Sequence, residues 1–425
     1  MFTAQDNERL TRVGRDTPMG RVLRRFWLPC LLAEELAKPD CDPVRVTLLG
    51  EKLIAFRDSK GRLGLLDRHC PHRRADLYFG RNEECGLRCS YHGWKFDVDG
   101  NVLEMPAEPE NTPLLHEVKI GSYPVREQGG VIWAYLGERA LMPADPPFLE
   151  WAQVADAHRY VTKRLQETNF AQGVEGGIDS SHVSILHSKL KPDTGQTFRA
   201  RQVAISPKLA WLAADTAPKF FLRETDYGFL IGARRKATDN EFYWRITQFL
   251  LPFYTMIAPR DERGPIMGHA WVPIDDYNCW NFTFTWNPYE PLNSADRDDN
   301  EVHMEVVPDG SYRPRLNRDN DYGLDRKVQR EQSCSGIPGI GAQDTAIQES
   351  MGPIVDRENE HLGTGDTAIV AFRRRLLRLA ADYERGMMPA MPDHPEWYRV
   401  RSAGIVLAKD VDFQKGAAER LVAAS

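Results

Sequence analysis

Apolar and polar positions along this chain follow two different periods, and the change between them divides it. Residues 8–26 set Leu10, Val13, Val22, Leu23 and Phe26 among charged positions, the spacing of a short helix. From about residue 44 to residue 136 the pattern shortens to β-rich runs at 44–49, 53–56 and 63–66. Ser59-Lys60-Gly61 supplies a turn between the last two, and Asp99-Gly100 supplies another. The run VIWAYL at 131–136 closes this segment, and Pro143, Pro146 and Pro147 punctuate the chain after it. The pattern predicts three parts: an N-terminal helix over 1–26 packed on the last domain, an all-β unit over 27–142, and a mixed domain over 143–425.

In that mixed domain a helical stretch is expected around 169–188. Strands follow, most clearly at 279–287. There Trp280, Phe282, Phe284 and Trp286 alternate with Asn281, Thr283 and Thr285, the period of a strand with one apolar and one polar face. Residues 366–385 read as an amphipathic helix with Asp366 as N-cap, an apolar stripe of Ile369, Phe372, Leu376, Leu379 and Tyr383, and Gly386 as its stop. The Arg373-Arg374-Arg375 run within it reads as a solvated face.

Composition narrows the class. At 425 residues the chain exceeds a usual single core. Its 42% hydrophobic and 27% charged residues exclude a disordered or fibrous protein. Lys plus Arg is 55 and Asp plus Glu is 61, a net −6 that argues against a dedicated nucleic-acid binder. No stretch reaches the length of a membrane span. The start, MFTAQDNERLTRVGRD, lacks the apolar core of a secretion signal. With seven cysteines, an odd number, this points to a reducing, cytoplasmic setting in which cysteine more often means metal than disulfide.

The strongest chemical signal is Cys70-Pro71-His72, then sixteen residues, then Cys89-Ser90-Tyr91-His92. Two thiolates suit one iron and two imidazoles the other, the mixed ligation of a Rieske [2Fe–2S] centre and hence of a one-electron relay. A structural zinc site uses the same residue types, but its paired ligands are usually two or more residues apart, whereas Cys70 and His72 have one between them. Pro71 stiffens the first loop, Gly93 lets the second pass close, and Trp94 can shield the site. Cys85, between the loops, reads as a buried small hydrophobe and His69 as a loop residue.

A second signal lies in GGIDSSHVSILH, which contains D-x2-H-x4-H. Asp179 and His182 share a helix face, but His187 falls about 140° away from His182 on an ideal helix. For both histidines to reach one metal, the helix must widen or break. With one carboxylate they would form the facial triad of non-haem iron(II) enzymes, which leaves coordination positions open. Asp344, ahead of the helix-like TAIQES, is one candidate, with an N-cap as its structural role. Glu349 and Asp356 compete with it.

On these residues, with RNEECGLRCSYHGWKFDVDGN, QDTAIQESMGPIVDR and EHLGTGDTAI, the chain resembles the catalytic subunits of Rieske non-haem iron aromatic-ring oxygenases, nearest the phthalate dioxygenase and phenoxybenzoate dioxygenase group. The resemblance implies an α+β protein, an all-β Rieske domain beside a helix-grip domain whose antiparallel sheet wraps a helix. It implies a [2Fe–2S] cluster on Cys70, His72, Cys89 and His92, and mononuclear iron on His182, His187 and Asp344. Asp179 would bridge the two centres across subunits of a homotrimer or stacked hexamer. Electrons would come from a separate NAD(P)H-dependent reductase, flavin- and iron–sulfur-containing, and O2 would be the co-substrate. The products open to such an enzyme are a cis-dihydrodiol, a hydroxylated compound, or a dealkylated ether or amine. A Rieske electron carrier with a partner-binding domain is the non-enzymatic alternative.

For substrate, an aromatic carboxylate is expected. Arg245 shares a strand face with Tyr243, Thr247 and Phe249, and its planar fork matches a carboxylate. Ser180, after the bridging aspartate, and Lys208 are further candidates, and a surface or ion-paired structural role is the alternative for Arg245. The Gly176-Gly177 pair before Ile178 is expected to shape the pocket.

Overall fold

The computed structural model describes residues 2–192, 195–203, 207–259, 263–297 and 302–423. The expected single N-terminal helix is two: α1 (Ala4–Thr11) and α2 (Pro18–Leu23). Pro18 cannot extend a helix from its N-terminal side, and Thr17 instead caps a new one, its hydroxyl accepting from Gly20 N–H at 3.1 Å. Between the two helices Val13 N–H donates to Asp276 at 2.8 Å, and both helices pack against helices of the last domain.

The all-β segment is three small antiparallel sheets: Leu28–Leu32 with Val131–Ala134 and Val125–Gln128; Val44–Leu48 with Glu51–Arg57 and Leu63–Asp67; and a four-stranded ribbon from Arg81 to Glu104. The first belongs to the main core, where Trp133 stacks near Trp151 at 6.0 Å. The ribbon and one side of the second sheet share a separate core, made by Ile54, Phe56, Leu66, Leu77, Leu87 and Phe96, with Cys70 and Cys89 inside it. Cys85 is not a buried hydrophobe. It is half-buried at positive φ in the hairpin turn Glu84-Cys85, which joins Arg81–Glu83 to Gly86–Arg88.

The last domain is built on one antiparallel sheet. Its order is Arg159–Gln166, Cys279–Trp286, Ile266–Pro273, Tyr254–Ile257, Glu241–Leu250, Gly228–Lys236 and Lys219–Thr225, with Ala403–Ala408 pairing beside Glu241–Leu250. Helix α3 (Phe170–Ile178) lies against its central strands, and α5 (Thr367–Glu384) packs Phe372 on Phe249. A third helix, α4 (Ile340–Ser350), crosses near α3. This is the expected α+β arrangement, a sheet gripping helices beside an all-β domain.

The strand expected at 279–287 is present as Cys279–Trp286 with its alternation, and neither face is solvated, because Asn281, Thr283 and Thr285 are as buried as Phe282 and Phe284. The apolar face meets Trp151, 4.5 Å from Phe284, while the polar face bonds Arg164, His269 and His303. Nor is 373–375 a solvated run. Arg373 is 3% exposed and donates to Glu175 and Glu360, which a charge needs when it is taken out of water. Arg374 is exposed.

Candidate active site

In the first donor set, Cys70 and Cys89 face each other at the edge of the ribbon core, close enough for one thiol to donate to the other. That contact, helped by the N–H groups of Tyr91 and His92, lowers Cys89 and raises Cys70, so the pair gives up its first proton from Cys89. A thiolate is the form that binds metal. The rings of His72 and His92 lie 4.5 Å apart, and His92 Nδ1 is buried with no hydrogen-bond partner among the described residues. A buried ring nitrogen costs free energy unless it is paired, so two thiols, two imidazoles and this orphaned atom fit a two-iron cluster. Trp94 stacks on His72 at 4.7 Å. Gly93 sits at φ +78°, and a Cβ there would lie 2.4 Å from Pro106, so only glycine closes this loop.

The second set is assembled from distant elements. Helix α3 ends at Ile178, and Asp179 occupies its C-cap in extended conformation. The chain then turns through a single 3-10 turn, His182–Ser184. The helix expected over 169–188 is therefore broken, which is one of the two ways His182 and His187 could converge. Their rings stand 5.1 Å apart, nearly perpendicular. Asp344 completes the set: its Oδ1 lies 3.5 Å from His182 Nε2 and 3.3 Å from His187 Nε2. One ligand atom from each residue falls within 4.8 Å of the others, a group able to hold a metal ion. Asp344 is no N-cap. It lies in the middle of α4, whose cap is Gly339. The competing carboxylates are engaged elsewhere: Glu349 accepts from Glu167 N–H and Tyr322 O–H, and Asp356 from Glu358 N–H and the Asn359 amide.

Both imidazoles are held from behind. Asp179 accepts from His182 Nδ1 at 3.0 Å and from the N–H groups of Ser181 and His182. Burial opposes its ionisation, but these bonds outweigh it and keep Asp179 below the usual carboxylate range. His187 Nδ1 is 2.8 Å from Gln343 Oε1, and Gln343 Nε2 donates to the carbonyl of Ile337. That carbonyl fixes the amide orientation, so Nδ1 of His187 carries the proton and Nε2 is left as donor atom. Gln343 was not visible as a site residue in the sequence, although its place beside Asp344 is a signal that could have found it.

In front of the set opens a cavity of about 500 Å³, a size that suits a small organic molecule. Arg245 and Lys208 line it, as do Arg164 and His269, which sequence reasoning missed. Arg245 donates to Ser180 Oγ at 3.3 Å and has no carboxylate partner among the described residues. Burial lowers its pKa, and Tyr243, Asp179 and Asp344 favour its charge. The expectation for Ser180 is corrected: it is fully buried and does not line the cavity. It is taken up by two arginines, its carbonyl accepting from Arg235 at 2.7 Å. The Gly176-Gly177 pair lines the cavity and also lets α3 pack: Cβ atoms there would come within 2.2 Å of Gln348 and 2.7 Å of Thr255.

The chain matches known proteins over nearly its whole length. A Rieske [2Fe-2S] domain family covers residues 26–124, and the LigXa C-terminal domain like family covers residues 134–424. The phthalate 4,5-dioxygenase oxygenase subunit of Pseudomonas putida is 38% identical, over 97% of this chain and 94% of that protein. The chain belongs to the Rieske oxygenases. The 3-chlorobenzoate-3,4-dioxygenase oxygenase subunit of Comamonas testosteroni is 36% identical over 99% of each chain. Among solved structures, NdmA of Pseudomonas putida CBB5 with caffeine shares the fold at a TM-score of 0.61, with 16% identity over 93% of this chain and all of that one. Oxygenase subunits of this family carry a [2Fe–2S] cluster and a mononuclear non-haem iron. They are enzymes, and electrons reach them from a separate reductase. No described helix is long and apolar enough to cross a membrane.

Proposed function

We propose that this protein is the oxygenase subunit of a cytoplasmic system that cis-dihydroxylates an aromatic carboxylate, divided as 1–26, 27–142 and 143–425. Cys70, His72, Cys89 and His92 hold the cluster; His182, His187 and Asp344 hold the iron. When bound, the first supplies one-electron transfer and the second an open-sided centre for O2. The observation that carries the substrate reading is Arg245, a guanidinium on the cavity wall with no carboxylate partner among the described residues. A buried charge left uncompensated is costly, and an anionic ligand would relieve that cost. Lys208 stands as a second cation on the same cavity. The names of two relatives, a phthalate and a 3-chlorobenzoate dioxygenase subunit, support the same class.

The chain's own residues divide the remaining work. Asp179 orients His182 and, in a homotrimer or hexamer, links it to the cluster histidine of a neighbouring subunit. Gln343 holds His187 in the tautomer that presents Nε2. Ser180, with Arg235 behind it, holds Arg245 pointing into the cavity. A flavin- and iron–sulfur-containing reductase using NAD(P)H supplies electrons. Exchanging Arg245 for Ala should raise KM for the acid far more than for its neutral methyl ester. Equal effects on both would refute carboxylate recognition at Arg245.

A further inference from the structure

Arg164 and His269 are two polar residues of the cavity that the reading above leaves unused. Arg164 stands on Arg159–Gln166, at the edge of the sheet and separated by three strands from the strand that carries Arg245. It is 4% exposed, its Nε is buried without a partner, and no carboxylate among the described residues pairs with it. Its Nη1 donates to Thr283 Oγ1 at 3.0 Å. His269 is 8% exposed, and its Nδ1 lies 3.1 Å from the same hydroxyl oxygen. Thr283 has one proton to give, and it goes to Asn281 Oδ1 at 3.0 Å. Thr283 must therefore accept from both neighbours, so His269 Nδ1 carries the ring proton and Nε2 is a bare acceptor. Burial first, and then the charge of Arg164, keep this imidazole neutral, with its pKa down at about 3. The Asn281 side chain also hydrogen-bonds His269, and both His269 and Arg164 line the cavity.

The wall thus offers a fixed donor beside a fixed acceptor. A carboxylate would satisfy only the donor. A hydroxyl satisfies both, because its oxygen accepts while its proton is donated. We propose that Arg164 and His269 form a second polar subsite that binds a hydroxyl group of the substrate, the oxygen accepting from Arg164 and the proton directed to His269 Nε2. The inference rests on the reading of this cavity as the place of an aromatic acid and narrows that acid to a hydroxy acid. Arg164 and Arg245 both feel the charge of Asp344, so both ends of such a molecule would lie near the catalytic set.

The test is equilibrium binding to the holoenzyme of benzoate, its three monohydroxy isomers, the matching methoxybenzoates and the benzenedicarboxylates. At least one hydroxy isomer should bind about ten-fold more tightly than benzoate and than its methoxy analogue, which can accept but not donate. In His269→Phe the ratio of that isomer to benzoate should fall to about one, and His269→Gln, which restores an acceptor near Nε2, should recover part of it. The proposal is overturned if no hydroxy isomer exceeds benzoate, if the gain survives His269→Phe, or if only dicarboxylates gain. The wild-type panel decides even if a variant fails to fold. Failure of carboxylate recognition is separable: Arg245→Ala would then weaken benzoate and benzamide alike while the hydroxyl increment persists.

Discussion

The two donor sets of this protein are built on opposite plans. Cys70, His72, Cys89 and His92 sit on two adjoining loops, one after strand Leu63–Asp67 and one within the ribbon, around a small core that is separate from the rest. His182, His187 and Asp344 are brought together by a broken helix end and by a helix some 160 residues further on, inside the main body of the last domain. The backing of each set differs in the same way. Behind the first are backbone N–H groups, a stacked tryptophan and a glycine turn. Behind the second are side chains that are themselves held, Asp179 by backbone N–H groups and Gln343 by the Ile337 carbonyl. A set built from neighbours in sequence fails locally, whereas an assembled set fails through any of the contacts that bring it together.

The largest contrast should come from removing one donor at each centre. Cys89→Ser should abolish the visible absorption of the cluster, while the last domain keeps its circular dichroism and its mononuclear iron, because the core around the cluster loops is separate from the main core. Unfolding of the whole chain would break the comparison. Asp344→Ala should do the converse, losing the mononuclear iron and all oxygenase turnover with the cluster spectrum intact. Asp179→Asn is expected to keep both metals and slow turnover by up to about 100-fold, since an amide replaces the carboxylate behind His182. Near-normal single-turnover transfer between the centres in that variant would reject the bridge. The smallest effect is expected at Gln343→Leu, where iron affinity should fall about ten-fold as His187 loses its orienting acceptor. Unchanged affinity, measured by competition with a chelator, would show that packing alone sets the ring.

How far each centre could be read in the sequence follows from the same difference. The loop spacing, with CPH and CSYHGW flanks, exposes a complete ligand set because all four donors are close in the chain. D-x2-H-x4-H shows two histidines and leaves open whether the helix widens or breaks; the choice depends on how α3 meets the sheet. Asp344 looked like a helix cap because α4 begins five residues earlier than the helix-like TAIQES suggests, at Ile340 after a glycine cap at φ +77°. Arg164 and His269 were invisible, since a polar residue on a strand normally means solvent. Here the polar face of Cys279–Trp286 is covered, and its threonines and asparagine become the supports of a cavity wall. Arg373 misled for a related reason, because its partners Glu175 and Glu360 come from other elements.

The most direct test of the account is a count of iron, acid-labile sulfide and zinc in the purified wild-type protein, repeated on Asp344→Ala. The account predicts about three irons and two sulfides per chain, falling to about two irons with sulfide unchanged in the variant, as the two ligand sets require. Stoichiometric zinc without sulfide at Cys70, His72, Cys89 and His92, or an iron count that Asp344→Ala leaves untouched, would contradict it.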